Sequence, residues 1–281
     1  MSGKLVVVGT PIGNLSDFSP RAVKALSEAD FIAAEDTRVT LKLLNHFGIK
    51  KPLISYFEHN KYEKGGMLCS RMETGETCAL VSDAGMPAIS DPGELLVAQC
   101  AERGIPVYVV PGPCAVVSAL AVSGLPTGRF TFEGFLSVNK KSRREHLESL
   151  KDERRTMVFY EAPHKLATTL CDLLEALGDR RISLVRELTK IHEEVIRTTI
   201  SEAARRYADE SARGEFVLVV EGAPAPEPEQ ESVQDALALG QKYLAEGASV
   251  SEAAKRAAAE TGRKKNEIYR ELAHEKDGAS E

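Results

Sequence analysis

The chain has 281 residues, 43% of them hydrophobic and 28% charged, with a formal net charge of −6. That balance excludes a disordered or fibrous chain, and it excludes a uniformly basic nucleic-acid binder, so any nucleic-acid surface has to be local. No apolar run approaches the roughly 18–20 residues of a membrane span, and residues 1–8 are too short for a signal peptide, so a cytoplasmic protein is expected. Five cysteines (69, 78, 100, 114 and 171) lack Cys-x-x-Cys spacing, which points to small buried apolar residues rather than disulfides or a metal site.

In chain order, residues 5–9 form a short apolar run, read as a buried strand. Ser19 as N-cap and Pro20 at the first position open a helix that runs to residue 29. Strands follow over Phe31–Ala34, Leu53–Ser55, Thr77–Val81 and 106–110, separated by helices over Thr37–His46, 58–73 and 94–103 and followed by one over 115–122. Short apolar strands alternating with helices specify a mostly parallel sheet covered on both faces. Beyond residue 127 the rhythm changes. Residues 129–134, 155–160, 182–186, 193–200 and 215–220 read as strands, and the connection after Arg186 is too short for a helical crossover, so a mixed sheet is expected. Residues 222–232 (GAPAPEPEQES) read as a semi-stiff tether. Three short helices follow, over 233–245, 250–259 and 264–273, with Ser249 and Glu252 in capping-box spacing. The expected organisation is an α/β lobe over 1–123, a second α/β lobe over 124–221, a linker over 222–232 and a helical domain over 233–276.

In open sheets of this kind ligands sit beyond the carboxyl ends of the strands. The loops there are Gly9-Thr-Pro-Ile-Gly13-Asn14-Leu15, Ala34-Glu-Asp-Thr-Arg38, Ser82-Asp-Ala-Gly-Met-Pro-Ala-Ile-Ser-Asp-Pro-Gly93 and Pro111-Gly-Pro-Cys-Ala115. They are dense in Gly, Pro and Asp. The first lacks a third glycine and a Gly-Lys-Ser/Thr, Pro11 removes an amide N–H, and neighbouring acids would repel phosphate. A phosphate-free, positively charged cofactor such as S-adenosylmethionine fits better, with Asp83 the best placed carboxylate for its cation. Asp91 fits an N-cap, followed by Pro92 and Glu94. Asp36 fits either a cap or a catalytic acid.

These four loops, with Glu133-Gly-Phe-Leu136, Phe159-Tyr-Glu-Ala-Pro-His164 and Arg186-Glu-Leu-Thr-Lys190, stand in an order that closely resembles the ribosomal RNA small subunit methyltransferase I family. Those enzymes are 16S rRNA cytidine 2′-O-methyltransferases of the tetrapyrrole methylase superfamily. The resemblance spans about residues 4–221, and the last helices look like the family's helix-turn-helix extension. It implies a two-lobed α/β fold, S-adenosylmethionine in the cleft between the lobes, a homodimer, and the 16S rRNA of the small ribosomal subunit as substrate. It further implies that Pro11, Val81, Ser82, Asp83, Met86, Cys114, Ala115, Glu161 and Leu188 line the cofactor pocket. Met86, Cys114 and Ser137 stand where the family pattern has Thr, Ser and Pro; the first two keep a small or flexible apolar wall.

Methyl transfer to a ribose hydroxyl is an in-line displacement that needs alignment, exclusion of water and a general base. The candidates are Glu35, Asp36, Asp83 and His164, with the Glu35–Asp36 pair beside Arg38 favoured because adjacent acids tune each other's proton affinity. His164, at a helix start, also fits a structural first-turn role. For RNA, residues 140–155 carry seven basic and four acidic side chains, with Lys140, Lys141, Arg143 and Arg144 leading. In the last domain Arg263, Lys264, Lys265 and Arg270 offer a second basic surface, with Tyr269 suited either to stacking on a base or to the core. Two other readings are a methylase of the same fold acting on a diphthine precursor or a corrin-pathway tetrapyrrole, and a small-molecule-sensing DNA-binding regulator.

Overall fold

The computed structural model describes residues 3–225 and 233–278, and the chain divides into two compact units, residues 1–223 and 224–281. In the first unit β1 (Lys4–Val8), β2 (Phe31–Ala34), β3 (Leu53–Ser55), β4 (Thr77–Val81) and β5 (Val107–Val110) form one parallel sheet in the order β3-β2-β4-β1-β5. Alternate side chains enter two separate cores. Leu5, Val7, Phe31, Ala33 and Leu80 pack on one face under α3 (Lys61–Glu73) and α4 (Gly93–Glu102). Val6, Val8, Ile32, Ala34 and Val81 pack on the other under α1 (Pro20–Glu28) and α2 (Thr37–His46). The Ser19 hydroxyl accepts from the Ala22 amide at 3.1 Å, and Pro20 opens α1, the cap and first turn expected from sequence.

Strand order reverses direction between β1 and β4. The chain leaves β1 toward β2 and β3 but leaves β4 toward β5, so a crevice opens above their carboxyl ends. The loops after these two strands are tied together there. Thr10 N–H donates to Gly85 O (2.9 Å), Gly85 N–H donates to Thr10 O (3.2 Å), and the Thr10 hydroxyl donates to Ser82 O (3.2 Å).

α5 (Ala115–Ser123) leads into the second sheet, built of β6 (Phe130–Phe135), β7 (Thr156–Glu161), β8 (Arg181–Arg186), β9 (Glu194–Thr199) and β10 (Phe216–Val220) in the order β6-β7-β10-β8-β9. β6 and β7 run parallel and the other pairs antiparallel, so the sheet is mixed, as the short connection after Arg186 requires. Three helices stand between these strands that the apolar runs alone did not mark: α6 (Lys140–Ser149), α7 (Leu166–Leu177) and α8 (Ile200–Asp209). The strand read to residue 200 stops at Thr199, whose hydroxyl accepts from the Glu202 amide (3.3 Å) and caps α8. Leu166, Leu170, Leu173, Ile200 and Tyr207 of α7 and α8 cover one face of this sheet. The other face is covered by Val116, Ala119 and Leu120 of α5. Arg197 reinforces that seam by donating to Val122 O (2.6 Å) and Ser123 O (3.2 Å).

The second unit is α9 (Val233–Ala245), α10 (Val250–Thr261) and α11 (Lys265–Gly278) around Ala236, Ala253, Ala254, Ala257, Ile268 and Leu272. Ser249 accepts from the Glu252 amide (3.3 Å), and Gly262 closes α10 in the left-handed region at φ 69°. Most of the proposed linker, residues 226–232, lies outside the described residues. No helix among the described residues is long and apolar enough to cross a membrane.

Candidate active site

The ends of β2 and β4 are neighbours in register, Ala34 beside Val81, so the two loops that follow them meet. They lock reciprocally. The Asp36 amide donates to Asp83 Oδ1 at 3.0 Å, and the Asp83 amide donates to the Glu35 carboxylate. Asp36 is then spent on its own helix. It is the N-cap of α2, accepting from the Arg38 amide (2.8 Å), and it grips the Arg38 guanidinium at 2.5 Å. That cation and those hydrogen bonds hold its carboxyl down at about 2. Glu35 behaves oppositely. Partial desolvation, then the carboxylates of Asp83 and Asp91, push its pKa above the ordinary 4.5. The expected mutual tuning of Glu35 and Asp36 is therefore a minor effect: Asp36 answers chiefly to Arg38, and Glu35 chiefly to burial and Asp83.

Asp91 organises the long loop after β4. Its Oδ1 accepts from the Ala88 (2.9 Å) and Gly93 (2.7 Å) amides, but α4 begins at Gly93 with Pro92 in the N-cap position, so Asp91 stands one residue before the cap expected for it. Ala88 and Ser90 are held at φ 65° and 59°, backbone that non-glycine residues adopt at a cost. Opposite them, Gly134 of β6 approaches Ser90, and Lys190 and Thr189 crowd Gly13 of the first loop, so the second sheet walls the crevice. The loops after β1 and β5 touch backbone to backbone at Gly9 and Gly112, with the Met86 thioether against Gly9. Cys114, Ala115 and Leu188 pack with Tyr160 on one core beside this contact. The Tyr160 oxygen accepts from the Val116 amide, and burial pushes its hydroxyl up to about 12. The sequence assigned no role to Thr189 and Lys190, because only the fold brings them against Gly13 of the first loop.

Pro11, Ser82 and Asp83 share one groove, and Val81 lies buried behind them. Glu161 is the exception. It points to the α7 side of the sheet, where its carboxylate accepts from the Ala162 amide (2.8 Å) and the Thr169 hydroxyl (2.5 Å), which leaves its backbone rather than its side chain for a ligand. His164 is exposed in the turn after β7, outside this cluster. Among the basic candidates, Arg143 is tied to Asp172 (2.6 Å), and Lys141 lies 3.8 Å from Glu145. Lys140 and Arg144 line a cavity of about 150 Å³ between α6 and α7 with Asp172 and Glu175. In the second unit Arg263 lies 4.0 Å from Glu267 and Lys265 donates to the Ser251 hydroxyl. Lys264, Tyr269 and Arg270 are exposed, which removes Tyr269 from the core. Among the described residues no cluster suits a metal ion.

Residues 4–204 match the family model described as tetrapyrrole (corrin/porphyrin) methylases. A ribosomal RNA small subunit methyltransferase I from Halalkalibacterium halodurans is 49% identical over 95% of this chain and 93% of its own. One from Synechocystis sp. is 46% identical over 98% of this chain and 100% of its own. Solved structures of the same fold include the methyltransferase CobJ (TM-score 0.60, 20% identity, 81% of this chain and 97% of that one). Another is a Thermus thermophilus uroporphyrin-III C-methyltransferase complexed with S-adenyl homocysteine (TM-score 0.52, 21% identity, 78% and 97%). The tetrapyrrole enzyme is thus a neighbour in fold, while near-full-length identity close to one half carries the ribosomal RNA name. The chain belongs to the tetrapyrrole methylase family and, within it, to the ribosomal RNA small subunit methyltransferase I family.

Proposed function

We propose that this protein transfers a methyl group from S-adenosylmethionine to the 2′-hydroxyl of a cytidine ribose in the 16S rRNA of the small ribosomal subunit, in the cytoplasm. The observation that carries this reading is the 46–49% identity, over 95–98% of the chain, to relatives bearing that enzyme's name. The cleft residues fit the cofactor. Glu35, Asp83 and Asp91 make its mouth acceptor-rich, and the one arginine of these four loops, Arg38, is held by Asp36. The Thr189 hydroxyl is buried without a partner beside Gly13, a polar atom left for a ligand. Pro11, Ser82, Asp83, Met86, Cys114, Ala115 and Leu188 would hold the cofactor, which supplies an electrophilic methyl group on a cationic sulfur. Glu35 takes the proton of the attacking hydroxyl, because its raised pKa brings it nearer to a useful base than Asp36. Incubating the purified protein with radiolabelled methyl donor and small subunits, then mapping the modified nucleotide, tests the assignment. Label on protein or tetrapyrrole and none on rRNA would overturn it.

Lys140, Lys141 and Arg144 on α6, with Arg263, Lys264, Lys265 and Arg270 of the helical unit, supply the cations for RNA phosphates, Arg143 being anchored to Asp172. Deleting residues 230–281 is expected to raise KM for the subunit at least roughly tenfold, the scale of losing a few phosphate contacts, with cofactor affinity unchanged in calorimetry. Unaltered KM would remove the helical unit from RNA binding.

The protein works as a homodimer on this reading. β5 is an edge strand whose Val107, Tyr108 and Val109 are 38%, 57% and 55% exposed, an apolar row that a second copy would cover. Tyr108→Glu is expected to sediment as a monomer where the native chain sediments as a dimer. A dimer that survives it places the interface elsewhere.

A further inference from the structure

The groove shared by Pro11, Ser82 and Asp83 extends along the α2 side of the first sheet. Its volume is about 340 Å³, toward the lower end of small-ligand sites, which begin at about 300 Å³. One wall is the first loop, with Thr10, Pro11, Gly13 and Leu15. The other is a single face of α2, where Val39, Leu43 and His46 recur at helical spacing with Lys42 among them. Ser82 and Asp83 close the end nearest the cleft. Leu15 and Val39 are 44% and 39% exposed here, so two large apolar side chains face solvent across a concave surface. Lys42 has no carboxylate within ion-pair distance among the described residues, although the chain as a whole is acidic.

We propose that this groove receives the acceptor nucleotide, a pyrimidine ribonucleotide splayed out of single-stranded RNA, with its base between Leu15 and Val39 and its phosphate toward Lys42 and His46. The inference rests on the methyl-transfer reading above and names where that reaction's substrate sits. Its chemistry matches the lining. Apolar walls accept the face of an unstacked base. One oxygen of Asp83 is occupied by the Asp36 amide, and the other remains an acceptor suited to an exocyclic amino group, the donor that distinguishes cytosine. The unpaired lysine at the rim supplies charge complementarity to the backbone. Continuity with the cofactor-binding loops puts the groove next to the reacting centre, since Pro11, Ser82 and Asp83 belong to both.

Ultraviolet crosslinking of the full chain to a short single-stranded RNA carrying 5-iodocytidine, followed by peptide mapping, tests the placement without requiring turnover. Adducts on Leu15 or on residues 39–46 are expected. Adducts confined to residues 140–155 or to the helical unit overturn the proposal. Val39→Trp, which fills only the α2 wall of the groove from an exposed position, away from Ser82 and Asp83, is expected to lower kcat/KM for small subunits at least about tenfold, the scale of one lost base stack, with cofactor affinity and Tm unchanged. Lys42→Ala is expected to raise KM several-fold and leave kcat alone. If native protein crosslinks in the groove but leaves rRNA unmethylated, the reaction assignment fails and the groove stands. If Val39→Trp methylates as well as the native chain, the groove fails and the reaction assignment stands.

Discussion

Gly112→Val is expected to eliminate cofactor binding and with it all methyl transfer. A Cβ at residue 112 would stand 2.8 Å from Gly9 Cα and 2.9 Å from the Gly9 carbonyl carbon and oxygen. The obstruction is backbone on an adjacent strand, not a side chain that can swing aside. β1 and β5 are paired neighbours, so the loops can separate only by breaking register at their ends. Separation would carry Pro11 one way and Cys114 the other, displacing both proposed walls of the cofactor site. Overpacking of this kind destabilises by about 1–3 kcal/mol, and Tm is expected to fall correspondingly. Gly128 is the matched control, because an added Cβ there meets nothing within 4 Å and its φ is ordinary. Gly128→Ala is expected to stay within about 0.5 kcal/mol of the native chain. Calorimetry with S-adenosylmethionine on both variants checks the contrast; native-like affinity in Gly112→Val would show that the two loops do not frame the site.

Glu35→Gln is expected to slow single-turnover methylation by roughly 10²–10⁴-fold, the range for losing a positioned base. It is also expected to raise Tm near neutral pH. The sign follows from linkage. The pKa of Glu35 is raised in the folded chain, so the fold favours the protonated form. Its favourable contribution is complete below the unfolded pKa and is lost as pH rises through the folded value. Near neutrality the carboxylate is ionised against Asp83 and Asp91, and a neutral amide relieves that repulsion. Activity runs the other way, because the base must be deprotonated. The acidic limb of the native pH–rate profile is therefore expected above the ordinary glutamate value of 4.5 and is expected to vanish in Glu35→Gln. Asp36→Ser separates the neighbours. Serine restores an N-cap without a charge, so α2 keeps its start and methylation is expected to persist. A Glu35→Gln variant with native rates, or an Asp36→Ser variant as slow as Glu35→Gln, would shift the base from Glu35.

The run Leu-Val-Val-Val at 5–8 is too short for a helix and rich in β-branched residues, so a strand buried on both faces is legible in the local sequence. The Ser19, Asp36 and Ser249 caps are local for the same reason, since each involves residues two or three apart. The second sheet was legible only in part. α6 is so polar that it presents a charge cluster rather than a helical stripe, burying little besides Leu147.

What the sequence by itself determined was the set of strands, the short antiparallel return after Arg186, and the concentration of Gly, Pro and Asp in four loops at one sheet edge. Those follow from short-range sterics and from side-chain periodicity. Only the tertiary structure decided which acid is free to act. Glu35, Asp36, Asp83 and Asp91 are alike as residues. Asp36 is paired with Arg38 two positions away; Asp91 is raised by burial, but its Oδ1 is engaged by the Ala88 and Gly93 amides of its own loop; Glu35 is raised by burial and by Asp83, which lies 48 residues further along the chain. The same holds for Glu161, whose strand parity turns its carboxylate to the α7 side and leaves Tyr160 facing α5. Proton affinity depends on charges and solvent within a few ångströms, and that neighbourhood exists only once separate strands are laid side by side.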